Sequence, residues 1–148
     1  MSRTRVETRA RGRVIQALYA WDVRTNGGVP QGNPRAALDH IATQIWDDLA
    51  VAPDERKLAS ALIRTFDYHR GKIDSALADV TTNWRLERLA VLDRCVLRMG
   101  AAELTRGETP PRVVIQEAVT LAERYSGTQS AKFVNGVLDA LARKMGRR

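Results

Sequence analysis

Five arginines lie within the first 13 residues of this 148-residue chain: Arg3, Arg5, Arg9, Arg11 and Arg13. Three of them, Arg5, Arg9 and Arg13, recur every four residues, so on a helix they form one stripe. Gln16 continues this polar side a turn beyond Arg13. A guanidinium group is planar and always charged, so it can bond a phosphate and also stack on a base. The spacing predicts a helix whose outer face follows the phosphate backbone of a nucleic acid.

Apolar residues in the same segment would position that helix. Val6, Ala10, Val14, Leu18 and Trp21 are three or four residues apart, which predicts a helix from about residue 4 to residue 23. Their stripe is rotated by about 100° from the arginine stripe. We therefore expect the apolar stripe to pack on the protein and the arginines to stay outside.

A second candidate element lies near the C-terminus. Lys132 and Phe133 place a cation beside an aromatic ring, a combination that suits splayed-out single-stranded bases. Core packing is an equally good interpretation of Phe133. Asn135 and Gly136 follow on the same predicted helix, where a glycine costs up to about 1 kcal/mol relative to alanine. Either another element packs closely against Gly136, or Asn135 bonds to a neighbour; a simple close approach of two helices is the plainer alternative.

The positive charge of the chain is concentrated at its two ends. The formal net charge is +7, of which residues 1–13 carry +4 and residues 143–148 carry another +4. The remaining 129 residues are therefore close to neutral, with a net charge of −1. Basic ends on a neutral body indicate phosphate binding. The alternative is a pair of solvated termini without a ligand.

Composition excludes several classes of protein. No apolar run approaches the roughly 20 residues that span a bilayer, and no secretory signal is present. A single cysteine, Cys95, excludes an internal disulfide framework, fits a reducing cytoplasm and is best interpreted as a buried apolar residue. His40 and His69 lack the neighbours typical of a metal site. We expect a cytoplasmic protein that is not an enzyme, with no metal and no cofactor.

The periodicity and the breaks predict seven helices and no strands. Residues 24–33 form a loop, and Asn33 would cap a second helix that opens at Pro34 and carries Leu38, Ile41, Ile45 and Leu49. Further boundaries are expected at these positions: Pro53, Gly71, Gly107, Pro110-Pro111, and Gly127 followed by a Thr128 cap. The fold class is an all-α seven-helix bundle in two packed helical subdomains. It would be a single domain over 1–148, with halves at about 1–70 and 71–148.

Four segments in order along the chain carry a resemblance to a known family. They are RAR at residues 9–11 with QALYAW at 16–21, VLDRCVLRMG at 91–100, VIQEAV at 114–119, and KFVNGVLD at 132–139. With Ile73-Asp74, Trp84 and Pro111 between them, the sequence resembles the NusB family of bacterial transcription antitermination factors. The resemblance spans nearly the whole chain, and only the glycine-rich loop and the second and third helices lack distinctive matches.

The resemblance implies a function and two partners. It implies binding of the boxA element in ribosomal RNA leader transcripts, and a heterodimer with NusE, a small-subunit ribosomal protein. This pair would take part in the RNA polymerase antitermination complex. RNA contacts are implied for Arg3, Arg5, Arg9, Arg11, Arg13, Gln16, Gln129, Lys132 and Phe133. NusE contacts are implied for Tyr19, Glu87 and Asp93.

Three departures from the family pattern accompany the resemblance. Glu7 and Thr8 interrupt a basic run that is often denser, Gln129 replaces a common acidic residue, and Asp93 stands where a longer glutamate can occur. Two other classes of function stay open. One is the helical RNA-binding part of an RNA-modifying system, and the other is a structural homodimer with incidental basic ends. The sequence also leaves open whether the free protein is a monomer or a homodimer.

Overall fold

The computed structural model describes residues 3–28, 32–33, 36–81 and 85–147. Within these ranges the protein is helical and has no strand, which confirms the predicted all-α class. The helices are α1 (Arg3–Arg24), α2 (Leu38–Asp48), α3 (Pro53–Tyr68), α4 (Arg70–Val80), α5 (Val91–Arg106), α6 (Pro111–Ser126) and α7 (Thr128–Lys144). A short 3₁₀ turn, Leu86–Arg88, precedes α5. No described helix is long and apolar enough to cross a membrane.

The central helix of the bundle is α5. Its residues 94–104 are all buried, and it packs against α1, α3, α4, α6 and α7. At Gly100 the neighbouring helix comes so close that an added Cβ would lie 2.7 Å from Leu138 Cδ1. The glycine that permits close helix packing is therefore Gly100. Gly136, where we expected such packing, is exposed and a Cβ there would meet nothing within 4 Å.

Proline and glycine set several helix boundaries where the sequence predicted them. Pro53 and Pro111 are the first residues of α3 and α6, because a proline at the start of a helix loses no hydrogen bond. Gly107 ends α5 in the left-handed conformation, with φ of 76°. Gly127 also has positive φ, but it is itself the N-cap of α7, so Thr128 is the first helical residue and the predicted Thr128 cap is wrong.

The start of the second helix was predicted wrongly. The N-cap of α2 is Ala37 in an extended conformation, so Asn33 does not cap it; Pro34 lies outside the described residues. Leu49 follows the helix and is exposed, whereas Trp46 is buried and donates a hydrogen bond from Nε1 to Ser60 Oγ at 3.0 Å. Trp46, and not Leu49, therefore belongs to the buried face of α2.

The boundaries around α4 also differ. The break between α3 and α4 lies at His69, and Gly71 is inside α4. Leu86 and Leu89 belong to the 3₁₀ turn and its cap and not to an α-helix, since α5 begins at Val91. Trp84 lies outside the described residues. The buried apolar residues form one cluster to which α1–α3 and α4–α7 both contribute.

Candidate nucleic-acid interface

The outer face of α1 carries the polar residues that the sequence placed there. Arg5, Arg9, Gln16 and Tyr19 are exposed, while Ala10, Val14, Leu18 and Trp21 are buried on the opposite face. The helix therefore has the orientation that its two stripes predicted. Arg3 begins α1, but its side chain lies outside the described residues.

A buried carboxylate, Glu55 of α3, binds two arginines of the stripe. Arg13 Nε donates to Glu55 Oε2 at 2.9 Å, and Arg9 Nε lies 3.8 Å from Glu55 Oε1. Arg13 Nη1 also donates to Gln16 Oε1 at 3.1 Å. The Arg9 side chain is still 45% exposed and that of Arg13 is 29% exposed. Two cations share one anion, so this part of α1 keeps a net positive charge while its side chains are held in place.

Arg11 has a different position from the one expected. It is buried, with Nε and Nη2 donating to Glu103 Oε1 and Oε2 at 2.8 and 2.7 Å, and Nη1 donating to Glu117 Oε1 at 3.0 Å. Burial by itself lowers the pKa of Arg11, but the hydrogen bond and charge of Glu103 and the charge of Glu117 outweigh it, and the pKa is raised. This placement argues against an RNA contact, because the guanidinium is fully engaged inside the protein. Arg11 instead fastens α1 to α5 and α6.

The position of Arg11 on the helix predicts that it is buried, although it belongs to the same group of N-terminal arginines as the exposed Arg5 and Arg9. It lies four residues before Ile15 and seven before Leu18, both of which are buried, so it falls on the inner face of α1. A buried arginine requires carboxylate partners, and these come from helices about 90 or more residues further along the chain. Helical position identifies the buried arginine, but it cannot identify Glu103 and Glu117.

Tyr125 connects the end of α6 to the outer face of α1. Its hydroxyl lies 3.4 Å from the position that a Cβ on Gly12 would occupy, and the side chain is 40% exposed. Gly12 is three residues after Arg9 and four before Gln16, so the Tyr125 hydroxyl lies against the side of α1 that carries both. Tyr125 follows the buried Leu121 by four residues, a spacing that by itself predicts a place on the apolar stripe of α6. Its position near the end of that helix, beyond the buried Leu121 and Ala122, leaves it at the surface instead.

The first turns of α7 carry three further candidate residues. Gln129 and Lys132 are exposed, and Phe133 is half-buried, packing against the edge of the core. Both interpretations of Phe133 therefore hold in part: one part of the ring packs on the core, and the other part is accessible to a ligand. Asn135 is exposed and has no hydrogen-bond partner among the described residues, contrary to the expected bond across to a neighbour.

The three residues predicted to contact a protein partner lie in the C-terminal half of α1, in the 3₁₀ turn before α5 and in the first turn of α5. Tyr19 is 45% exposed, and Glu87 is exposed with Arg85 Nη1 at 3.9 Å from its Oε1. Asp93 is half-buried in the first turn of α5, and its Oδ1 is buried without a hydrogen-bond partner among the described residues. Glu87 lines a groove of about 590 Å³, whereas Tyr19 and Asp93 lie outside its lining.

Four residues that line this groove form an ionic cluster that the sequence did not reveal, and all of them except Asp74 are buried. Asp22 accepts from Arg94 Nε and Nη2 at 2.7 and 2.6 Å and from Arg98 Nη1 at 3.1 Å, and Arg98 also donates to Asp74 at 2.9 and 3.0 Å. The hydrogen bond with Asp22 raises the pKa of Arg94. Arg98 Nη2 donates to the carbonyl of Gly27 at 3.1 Å. The cluster fixes the end of α1 and the following turn against α5.

The described residues contain no group of three or more His, Cys, Asp or Glu side chains placed to hold a metal ion. Cys95 is buried beside the ionic cluster, and burial raises its pKa to about 12. The predicted apolar role of Cys95 is therefore confirmed.

The fold and these residues define a class: an all-α protein whose first and last helices present exposed cations and amides, with partly exposed aromatic rings on α6 and α7. The chain belongs to the NusB family, since the model of that family matches residues 8–143. One relative, the transcription antitermination protein NusB of Anaeromyxobacter dehalogenans (strain 2CP-1 / ATCC BAA-258), is 42% identical over 138 residues, which are 91% of this chain and 89% of the relative.

Two solved structures have the same fold over nearly their whole length. T. maritima NusB is 32% identical, with a TM-score of 0.79 over 93% of this chain and 90% of that chain. The NusB chain of a crystal structure of the antitermination factors NusB and NusE in complex with dsRNA is 27% identical. Its TM-score is 0.80 over 95% of this chain and 98% of that chain. The predicted family and fold are thus confirmed.

Proposed function

We propose that this protein is a transcription antitermination factor that binds boxA-type single-stranded RNA of ribosomal RNA leader transcripts together with NusE. In this role it promotes processive transcription of ribosomal RNA operons as part of the RNA polymerase antitermination complex. It acts in the cytoplasm by binding, not by catalysis. One observation carries the proposal: the exposed Arg5, Arg9 and Gln16 face of α1 lies next to the exposed ring of Tyr125.

The chemistry of that surface suits a single strand. Arg5 and Arg9 supply the charge that attracts phosphates, and Glu55 holds Arg9 and Arg13 in place. Tyr125 and the exposed part of Phe133 supply rings on which unpaired bases stack. An RNA duplex keeps its bases stacked inside the helix, so these rings would contribute little to its binding. We therefore expect single strands to bind more tightly than duplexes.

The groove beside Glu87 supports the proposed contact with NusE. Val23 is 59% exposed and lines the groove together with Val91 and Glu87. An apolar side chain of the partner would pack on the two valines, and a cation of the partner would pair with Glu87. Tyr19 lies one turn before Val23 on α1, where it extends this contact area. Asp93 also stabilises the N-terminus of α5 by its charge, so its contribution to the partner contact needs a stability control.

Binding of fluorescently labelled RNA tests the proposal. The measurement compares boxA RNA, a scrambled RNA of equal length and a boxA duplex, each with and without NusE. The proposal predicts that boxA single strand binds most tightly and that NusE increases its affinity. Arg9→Ala should weaken binding, whereas Lys72→Ala, which removes one positive charge from an exposed position of α4, should not. Equal affinity for boxA and scrambled RNA, with and without NusE, would contradict the proposal and favour a structural role.

A further inference from the structure

No packing contact among the described residues requires a glycine at position 136. It lies in the interior of α7, exposed, and an added Cβ would meet no atom within 4 Å. Its φ is not positive, so an alanine could adopt the same backbone conformation. Gly100 gives the contrast, because the side chain of Leu138 occupies the space that a Cβ would need. The helix thus bears the conformational cost of a glycine at position 136 without any internal contact that requires it.

The position of Gly136 on α7 relates it to the surface proposed for RNA. It follows Lys132 by four residues and Gln129 by seven, and precedes Arg143 by seven, so all four lie along one side of the helix. All four are exposed. Because Gly136 has no side chain, the helix backbone is uncovered between two cations. Arg143 Nε is 3.0 Å from Asp139 Oδ2, so the acidic residue of this side is paired.

We infer that the RNA strand continues along α7 beyond Lys132 and that its sugar-phosphate backbone lies directly against the uncovered helix backbone at Gly136. This inference rests on the proposed function and extends it. Arg143 offsets the charge of Asp139, and Lys132 leaves this side of the helix with a net positive charge, which favours a polyanion over a protein helix as the occupant. A side chain at position 136 would hold the strand away from Lys132 and increase the distances between the strand and the helix.

The test compares two exposed helical glycines, one on this surface and one away from it. Gly71 of α4 is also exposed and helical, and a Cβ there would also meet nothing within 4 Å. Gly136→Ala should raise the melting temperature by roughly 2–4 °C, because it stabilises the helix without a clash. The same variant should bind boxA RNA about tenfold more weakly, equivalent to about 1.4 kcal/mol. Gly71→Ala should leave RNA affinity unchanged, and Gly136→Gln should weaken it more than Gly136→Ala does.

The outcomes separate this inference from the proposed function. If the wild-type protein binds boxA RNA and Gly136→Ala binds it equally well, the inference is wrong and the proposed function stands. A loss of NusE affinity with unchanged RNA affinity also overturns it, since the occupant would then be a protein. A wild-type protein without preference for boxA overturns both. A more stable Gly136→Ala variant with selectively weakened RNA binding supports the inference.

Discussion

Arg11 of α1 and Glu103 of α5 form a buried bidentate ion pair, with N···O distances of 2.8 and 2.7 Å. Removing the arginine leaves Glu103 charged and without its main partner in the interior, which costs roughly 3–5 kcal/mol. Arg11→Ala should therefore lower the free energy of unfolding by about this amount in urea titrations. Arg9→Ala, at an exposed position, should change it by less than about 1 kcal/mol. Equal stability of the two variants would mean that Arg11 does not anchor α1.

Tyr125→Ala tests whether the exposed ring next to Gly12 contributes to RNA binding. Loss of one stacked base costs roughly 1–3 kcal/mol, so boxA affinity should fall by about tenfold or more while the fold is retained. Tyr68→Ala serves as the matched control, because Tyr68 is 86% exposed but lies on α3. Fluorescence anisotropy with labelled boxA RNA measures both. The stacking role is wrong if the two variants bind RNA equally well.

Charge reversal at Glu87 and Asp93 tests the proposed NusE contact. Glu87→Lys and Asp93→Lys should each weaken NusE binding, because an acidic group next to the groove becomes a cation. Asp48→Lys, at an exposed position of α2, should have no effect. Calorimetric titration with NusE gives the affinities, and thermal melting separates loss of contact from loss of stability at the first turn of α5. Unchanged NusE affinity in both variants would show that this surface does not bind NusE.

The buried thiol of Cys95 makes stability dependent on alkaline pH. Its pKa is raised from 9.0 to about 12 in the folded protein, so the unfolded chain loses this proton first as the pH rises. The folded protein keeps its full stability with respect to this thiol below pH 9 and loses stability between about pH 9 and 12, by roughly 1 kcal/mol at pH 10. Urea titrations should show a smaller alkaline loss of stability for Cys95→Ala than for the wild type. Parallel pH profiles for the two proteins would show that the thiol ionises equally in both states.

Local chemistry explains which parts of this fold were predictable. Pro53, Pro111 and Gly107 set helix boundaries because their backbone preferences act within one or two residues. The outward face of Arg5 and Arg9 was also predictable, since the apolar stripe of α1 determines which side is buried. Several features that depend only on neighbours along the chain were therefore predicted correctly, although the Asn33 cap, the Thr128 cap and the Gly71 boundary were not.

Features that depend on distant partners were not. The pairing of Arg11 with Glu103 joins residues 92 positions apart, and the buried arginines of α5 meet Asp22 more than 70 positions away. The two glycines Gly100 and Gly136 both lie inside helices, and only the packing of Leu138 decides which one permits close approach. No periodicity contains that information, because it is a property of how the helices meet.

The salt dependence of boxA binding tests the central claim most directly, because that claim is that arginines of α1 contact the RNA phosphates. The slope of log affinity against log salt concentration should change by about 0.7 for each phosphate contact removed. Arg5→Ala and Arg9→Ala should each flatten the slope by about this amount, while Lys72→Ala should retain the wild-type slope. Identical slopes for the wild type, Arg5→Ala and Arg9→Ala would contradict the account.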